Sequence, residues 1–196
     1  CADVIKKREN VECKVIYNLI AEDFGVDDRP ILRLVTNTRV SPEKGFSRML
    51  LLAERLKDKN VRFVWTIYGD NSHFPKEYCG WIEKFSHIPE VEWVGFKKDI
   101  TIRLTNADYH ILISDCEACP VAVLESLKMG VACVVTNWGG ASELIKDGEN
   151  GYIIDMEMKG IDKLVDNMVN KKLKFEYKPN STIGDWIKII EKNNDK

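Results

Sequence analysis

The chain has 196 residues, 44% of them hydrophobic, and its 29 Lys and Arg against 31 Asp and Glu leave a net charge of −2. That length accommodates one large domain with a core of its own, and the balanced charge supplies no field to draw in nucleic acid or an anionic membrane. No apolar run reaches the roughly 18 residues of a membrane-spanning helix, so a soluble protein is the expectation, and six scattered cysteines in a chain this long and apolar point to reduced thiols in a cytoplasmic setting.

In chain order, the sequence opens Cys1-Ala2-Asp3 with no initiator Met and no signal-like apolar region, which reads as a cut piece of a longer chain. Residues 1–28 hold a helix-like piece, Val4 to Arg8, and a strand-like piece, Lys14-Val15-Ile16-Tyr17, too little for a second domain. The acidic stretch from Glu22-Asp23 to Asp27-Asp28-Arg29-Pro30 resembles a surface linker. The folded domain is therefore expected over 29–196, preceded by the remnant of an interdomain hinge.

From there strands and helices alternate. Ile31 to Thr36 reads as a strand, and Phe46, Met49, Leu50, Ala53 and Leu56 follow at the spacing of an amphipathic helix. Arg62 to Tyr68 is a second strand ending in Gly69-Asp70, Lys76 to Phe85 a helix, and Val91 to Gly95 a short third strand. Strand Tyr109–Ile113 leads to helix Pro120–Lys128, and strand Ala132–Thr136 to a short helix at Ala141–Ile145. Gly151–Ile154 is the last strand, before helices near Ile161–Asn170 and Ile183–Lys192. This alternation predicts right-handed βαβ crossovers and a doubly wound, mostly parallel, Rossmann-like α/β domain, whose ligands bind at the carboxyl ends of the strands.

Three loops at those ends carry chemistry. In Thr38-Arg39-Val40-Ser41-Pro42-Glu43-Lys44-Gly45, two cations precede a helix start, where backbone N–H groups already favour an anion. Arg39 and Lys44 either clamp a pyrophosphate, one as a fork and one as a point charge, or are solvated loop cations. In Ser114 to Glu125, Pro120 fits the first helical position, which leaves the N–H groups of Val121 and Ala122 free for a phosphate. Glu117 precedes that helix. Glu125 lies one turn beyond Val121 on the same face, suited to sugar or ribose hydroxyls, although alone it reads as a surface helix residue. In Thr136-Asn137-Trp138-Gly139-Gly140-Ala141-Ser142-Glu143, the glycines permit close approach of backbone to a ligand, and Glu143 reads as an acidic first helical turn.

Taken together, R-x4-K-G, a strand ending in Gly69-Asp70, Val94-Gly95, E-x7-E with Pro120 third after the first Glu, and G-G-x-x-E resemble the carboxy-terminal domain of family 4 retaining glycosyltransferases, which have the two-domain GT-B fold. The resemblance spans nearly the whole chain. It implies a nucleotide-sugar donor, with a uridine diphosphate sugar favoured by family frequency, and Arg39 and Lys44 neutralising the diphosphate. Glu117 would lie beside the transferred sugar, as the catalytic residue, and Glu125 on the ribose. The turn Val94-Gly95-Phe96 would read the base, and Cys119, Pro120, Val121 and Ala122 would border the phosphate. It further implies no metal, and front-face substitution without a glycosyl-enzyme. A glycan or lipid-linked acceptor would be held by a missing amino-terminal domain, which could also associate peripherally with a membrane. The sequence departs from the family at Thr38 and Ala118, where glycines are usual, and Ile16-Tyr17-Asn18-Leu19-Ile20 matches only the first part of the usual Ile-x-Asn-Gly hinge.

Other readings exist. Cys116-x-x-Cys119-Pro120 at a helix start is also the pattern of a thioredoxin-like redox site, and within the same fold a nucleotide-sugar epimerase or a binding module without transfer activity would share the donor residues. Cys1, Cys13, Cys79, Cys116, Cys119 and Cys133 are expected as reduced thiols. Cys116, Cys119, Cys133 and His110 lack the second close pair of a structural zinc site, and His73, His87 and His110 read as noncatalytic. Trp65, Trp81, Trp93 and Trp186 read as core, Trp186 in a last helix that packs back onto a missing domain, whereas Trp138 is expected to border the cleft.

Overall fold

The computed structural model describes residues 29–69, 76–98 and 104–179, of 76–79 the backbone alone. The pieces expected within 1–28, Asp70, His73, the Cys79 side chain and the helix near Ile183–Lys192 with Trp186 lie outside the described residues.

Six strands form one parallel sheet: β1 (Leu32–Asn37), β2 (Phe63–Tyr68), β3 (Val91–Trp93), β4 (Tyr109–Leu112), β5 (Ala132–Thr136) and β6 (Gly151–Ile154). Their spatial order is β3-β2-β1-β4-β5-β6. The helices are α1 (Phe46–Asp58), α2 (Lys76–Ser86), α3 (Val121–Lys128), α4 (Ala141–Leu144) and α5 (Ile161–Asn170). β3 stops two residues before the expected Gly95, which instead takes φ +79°, a left-handed turn conformation that ends the strand.

β4 and β5 are buried along their whole length, as strands covered on both faces of a parallel sheet must be. On one face Met49, Leu52, Ala53 and Leu56 of α1, Phe85 of α2, and Leu164 and Val165 of α5 join Leu34, Trp65, Tyr109 and Ile111 in the main core. Phe46 sits at its centre among rings, stacked on Trp81 at 6.3 Å and tilted against Trp93 at 5.6 Å. The opposite face packs Val123 and Leu127 of α3 and Ala141 of α4 on Leu112, Cys133 and Val135. Polar groups inside the sheet are matched across strands: the Thr36 hydroxyl donates to the Ile111 carbonyl at 2.8 Å and accepts from Trp65 Nε1 at 3.1 Å, which joins β1, β2 and β4.

The order of the strands places the site. From β1 the chain moves outward through β2 and β3, then returns past β1 to β4 and moves the other way through β5 and β6. The loops leaving β1 and β4 therefore diverge to opposite faces, and a crevice opens between them at their carboxyl ends.

Candidate functional site

The loop leaving β1 runs through a 3-10 turn at Pro42–Lys44 into Gly45, the residue capping α1. Gly45 has φ +68°, and a Cβ there would lie 2.0 Å from the carbonyl oxygen of Ile113. Only glycine lets the start of α1 press this closely on the end of β4. Further bonds hold the two loops together. Asp115 N–H donates to Glu43 O at 2.7 Å, Arg48 Nε donates to Ile113 O at 2.9 Å, and Arg48 Nη2 pairs with the Asp115 carboxylate.

This clamp brings Lys44 Nζ to 2.7 Å from Glu117 Oε1, in an ion pair whose side chains are each only 13% exposed. Arg39 is a rim residue, 66% exposed, and pairs with Glu43 Oε1 at 3.2 Å. Burial alone would raise the Glu43 pKa, but bonds from Ser41, the backbone and Arg39, together with the charge of Lys44, hold it below its ordinary value.

Pro120 is the N-cap of α3, with φ −71° and ψ 108°, where the sequence reading has it as the first helical residue. Its extended ψ turns the chain into the helix one residue later than expected. The consequence for ligands is unchanged, because Pro120 O accepts from Val123 N–H at 3.0 Å and Leu124 N–H at 3.2 Å, and the N–H groups of Val121 and Ala122 lie ahead of that ladder.

Arg39, Lys44, Glu117, Pro120, Val121 and Ala122 thus line one cavity of about 260 Å³, with Asn37, Thr38 and Leu112. A second cavity, of about 370 Å³, adjoins it across Asn37, Thr38 and Arg39 and is lined further by Tyr68, Gly69, Phe96 and Lys97. Its floor is fixed by Thr38 N–H donating to Tyr68 O at 2.8 Å and Gly69 N–H to Gly95 O at 3.2 Å. A Cβ at Gly69 would meet Thr38 O at 2.3 Å. Gly95 is not among the residues that line this cavity and is tied to its wall only by that bond to Gly69, whereas Phe96 beside it lines the cavity and is 71% exposed.

Glu125 and Cys119 are exposed and line neither cavity. Trp138, expected at the cleft, is instead 3% exposed and packs with Val123, Leu127 and Ile145. The Gly139-Gly140 turn, with φ +86° at Gly140, folds the ring inward beneath α4. Cys116, Cys119 and Cys133 are free thiols. Among the described residues no three His, Cys, Asp or Glu side chains group as a metal site, and no helix is long and apolar enough to cross a membrane.

Sequence reasoning missed Asn37, Arg48 and Asp115. The signal for Asn37 was a carboxamide closing a strand directly after the buried run Leu34-Val35-Thr36. Its backbone N–H donates to Nε2 of His110 at 3.5 Å, and His110 is fully buried, which pushes its pKa down to about 3.

Against known proteins, residues 25–180 match the family model described as "Glycosyl transferases group 1". The chain belongs to that family. Among curated relatives of the glycosyl transferases group 1 chain, the N,N'-diacetylbacillosaminyl-diphospho-undecaprenol alpha-1,3-N-acetylgalactosaminyltransferase of Campylobacter jejuni is 32% identical over 133 residues, 68% of this chain and 33% of that protein. The UDP-Gal:alpha-D-GlcNAc-diphosphoundecaprenol alpha-1,3-galactosyltransferase of Escherichia coli is 33% identical over 76 residues, 39% of this chain and 19% of that one. The chain spans about one third of the length of the first curated relatives it matches. Among solved structures, Anabaena Alr3699/HepE in complex with UDP-glucose superposes with a TM-score of 0.61 at 18% identity, covering 84% of this chain and 49% of that one. The lipopolysaccharide outer core galactosyltransferase WaaB gives 0.58 at 20%, covering 84% and 48%. These likenesses establish the shared fold, that of GT-B glycosyltransferases.

Proposed function

We propose that the crevice between β1 and β4 binds a nucleoside-diphosphate sugar, and that the chain is the carboxy-terminal, donor-binding domain (29–196) of a retaining glycosyltransferase of family 4. The observation that carries this reading is the convergence of Arg39, Lys44, Glu117 and the first amides of α3 on one cavity at the switch point of the sheet. Two cations and a helix N-terminus suit a diphosphate, whose charge grows as the glycosidic bond breaks. Fixed positive groups already aimed at the leaving group stabilise that charge without reorganisation at the moment of reaction. The diphosphate competes with Glu117 for Lys44. Once released, the carboxylate lies beside the anomeric carbon, positioned to hold the sugar and to steady its developing positive charge. In this reading no metal takes part, because Arg39, Lys44 and the α3 dipole supply the positive charge.

A uridine diphosphate donor is supported by the UDP-glucose complex of Anabaena HepE and by the name of the Escherichia coli relative. The relatives named for diphospho-undecaprenol substrates support a lipid-linked or glycan acceptor, held by the other domain of the GT-B pair in the cytoplasm at a membrane surface. Calorimetric titration of the chain with UDP, GDP and ADP tests the reading. UDP is expected to bind with a dissociation constant below about 1 mM, or about −4 kcal/mol, and Arg39→Ala to weaken it several-fold. Absence of binding by all three nucleotides, with no effect of Arg39→Ala, refutes the donor site.

A further inference from the structure

Both cations of the cavity that Glu117 lines are matched by carboxylates. Lys44 Nζ lies 2.7 Å from Glu117 Oε1, and Arg39 Nη2 lies 3.2 Å from Glu43 Oε1, so an arriving diphosphate meets positive groups that are already paired. The two pairs differ in what they lose when an anion intervenes. Glu43 keeps the Ser41 hydroxyl, which donates to it at 2.6 Å. Glu117 has Lys44 as its hydrogen-bond partner among the described residues, and with a side chain only 13% exposed it has little water to replace that partner. The contact is held from the backbone at both ends. Lys44 closes the 3-10 turn before Gly45, Glu117 follows Asp115 by two residues, and Asp115 N–H donates to Glu43 O at 2.7 Å.

A ligand that takes Lys44 leaves Glu117 as a poorly solvated carboxylate beside new negative charge, which costs binding free energy unless the same ligand brings donors of its own. Free diphosphates and sugar diphosphates differ in this respect. The terminal phosphate of a nucleoside diphosphate has oxygens that accept, and it carries more negative charge than a phosphate esterified to a sugar, whereas a sugar brings hydroxyls that donate. Resting on the donor-site reading above, we propose that Glu117 is a specificity-determining residue that sets a sugar diphosphate apart from a bare diphosphate, yielding Lys44 to the first in exchange for sugar hydroxyls and reclaiming Lys44 from the second. The leaving nucleoside diphosphate is thereby held less tightly than the donor it came from, which favours its release.

The test is calorimetry on the full chain with UDP, inorganic pyrophosphate and UDP-glucose, for the natural protein and Glu117→Gln, with thermal unfolding recorded for both. Glu117→Gln is expected to bind UDP and pyrophosphate about tenfold more tightly and UDP-glucose no more tightly, so that the preference for UDP-glucose over UDP falls by the same factor. Unchanged or weaker UDP binding by Glu117→Gln overturns the proposal. An equal gain for UDP and UDP-glucose also overturns it, because that result reports only the loss of a negative charge from the cavity. Should Glu117→Gln not fold, Glu117→Asp, whose shorter side chain keeps the charge and loosens the hold on Lys44, is read by the same contrast. Failure of the natural protein to bind either nucleotide refutes the donor site itself and is distinguishable from these outcomes.

Discussion

Lys44 and Glu117 come from loops 73 residues apart in the chain, and their 2.7 Å contact is what turns two sequence motifs into one site. Removing both side chains from most of their water costs free energy that their mutual attraction offsets only in good geometry. Such a pair is therefore weak evidence for stability, and its placement in the cavity argues for use by a ligand. Within the sheet, on β4, His110 has a different consequence. In the fold its pKa is about 3, against about 6.5 in an unfolded chain. Between those values the unfolded chain binds a proton that the native one does not, so this contribution is intact above pH 6.5 and is lost on acidification. The loss is about 1.4 kcal/mol per pH unit down to about pH 3. Urea unfolding at pH 7, 5.5 and 4.5 is expected to show this slope, and His110→Gln, compared with the natural protein, to reduce it. Equal slopes in the two proteins would contradict the assignment.

At the scale of elements, the start of α1 decides the geometry of the site. Gly45 combines φ +68° with the 2.0 Å approach that a Cβ would make to Ile113 O, so Gly45→Ala adds backbone strain to a clash with main chain. A loss of at least about 2 kcal/mol is expected, measured by chemical denaturation, together with weaker UDP binding as Lys44 withdraws from Glu117. Wild-type stability in this variant would refute the close packing. The elements themselves were legible: hydrophobic period placed the six strands and five α-helices of the described residues within a few residues, because each buries an apolar face. What period could not give was which loops meet. Arg48 and Asp115, which tie α1 to the loop after β4, carry no local signal, since their pairing exists only once β4 lies beside β1. Trp138 was misplaced for a related reason. Its neighbouring glycines allow approach to a ligand and an inward turn equally, and the apolar surface under α4 selects the second.

Over the whole molecule, the switch in strand order and the motif order locate the same crevice independently. R-x4-K-G follows β1, and the first Glu of E-x7-E follows β4, the two strands that lie side by side where the connections change direction. The chain belongs to glycosyl transferases group 1, and Cys116 and Cys119 are exposed free thiols that line neither cavity. Amide chemical-shift mapping in an isotope-labelled sample during a UDP titration tests the central claim most directly. The largest, saturable shifts are predicted at Lys44, Val121 and Ala122, with smaller ones at Thr38 and Gly95. Shifts confined to the amino ends of the strands, or the absence of any saturable shift, would contradict it.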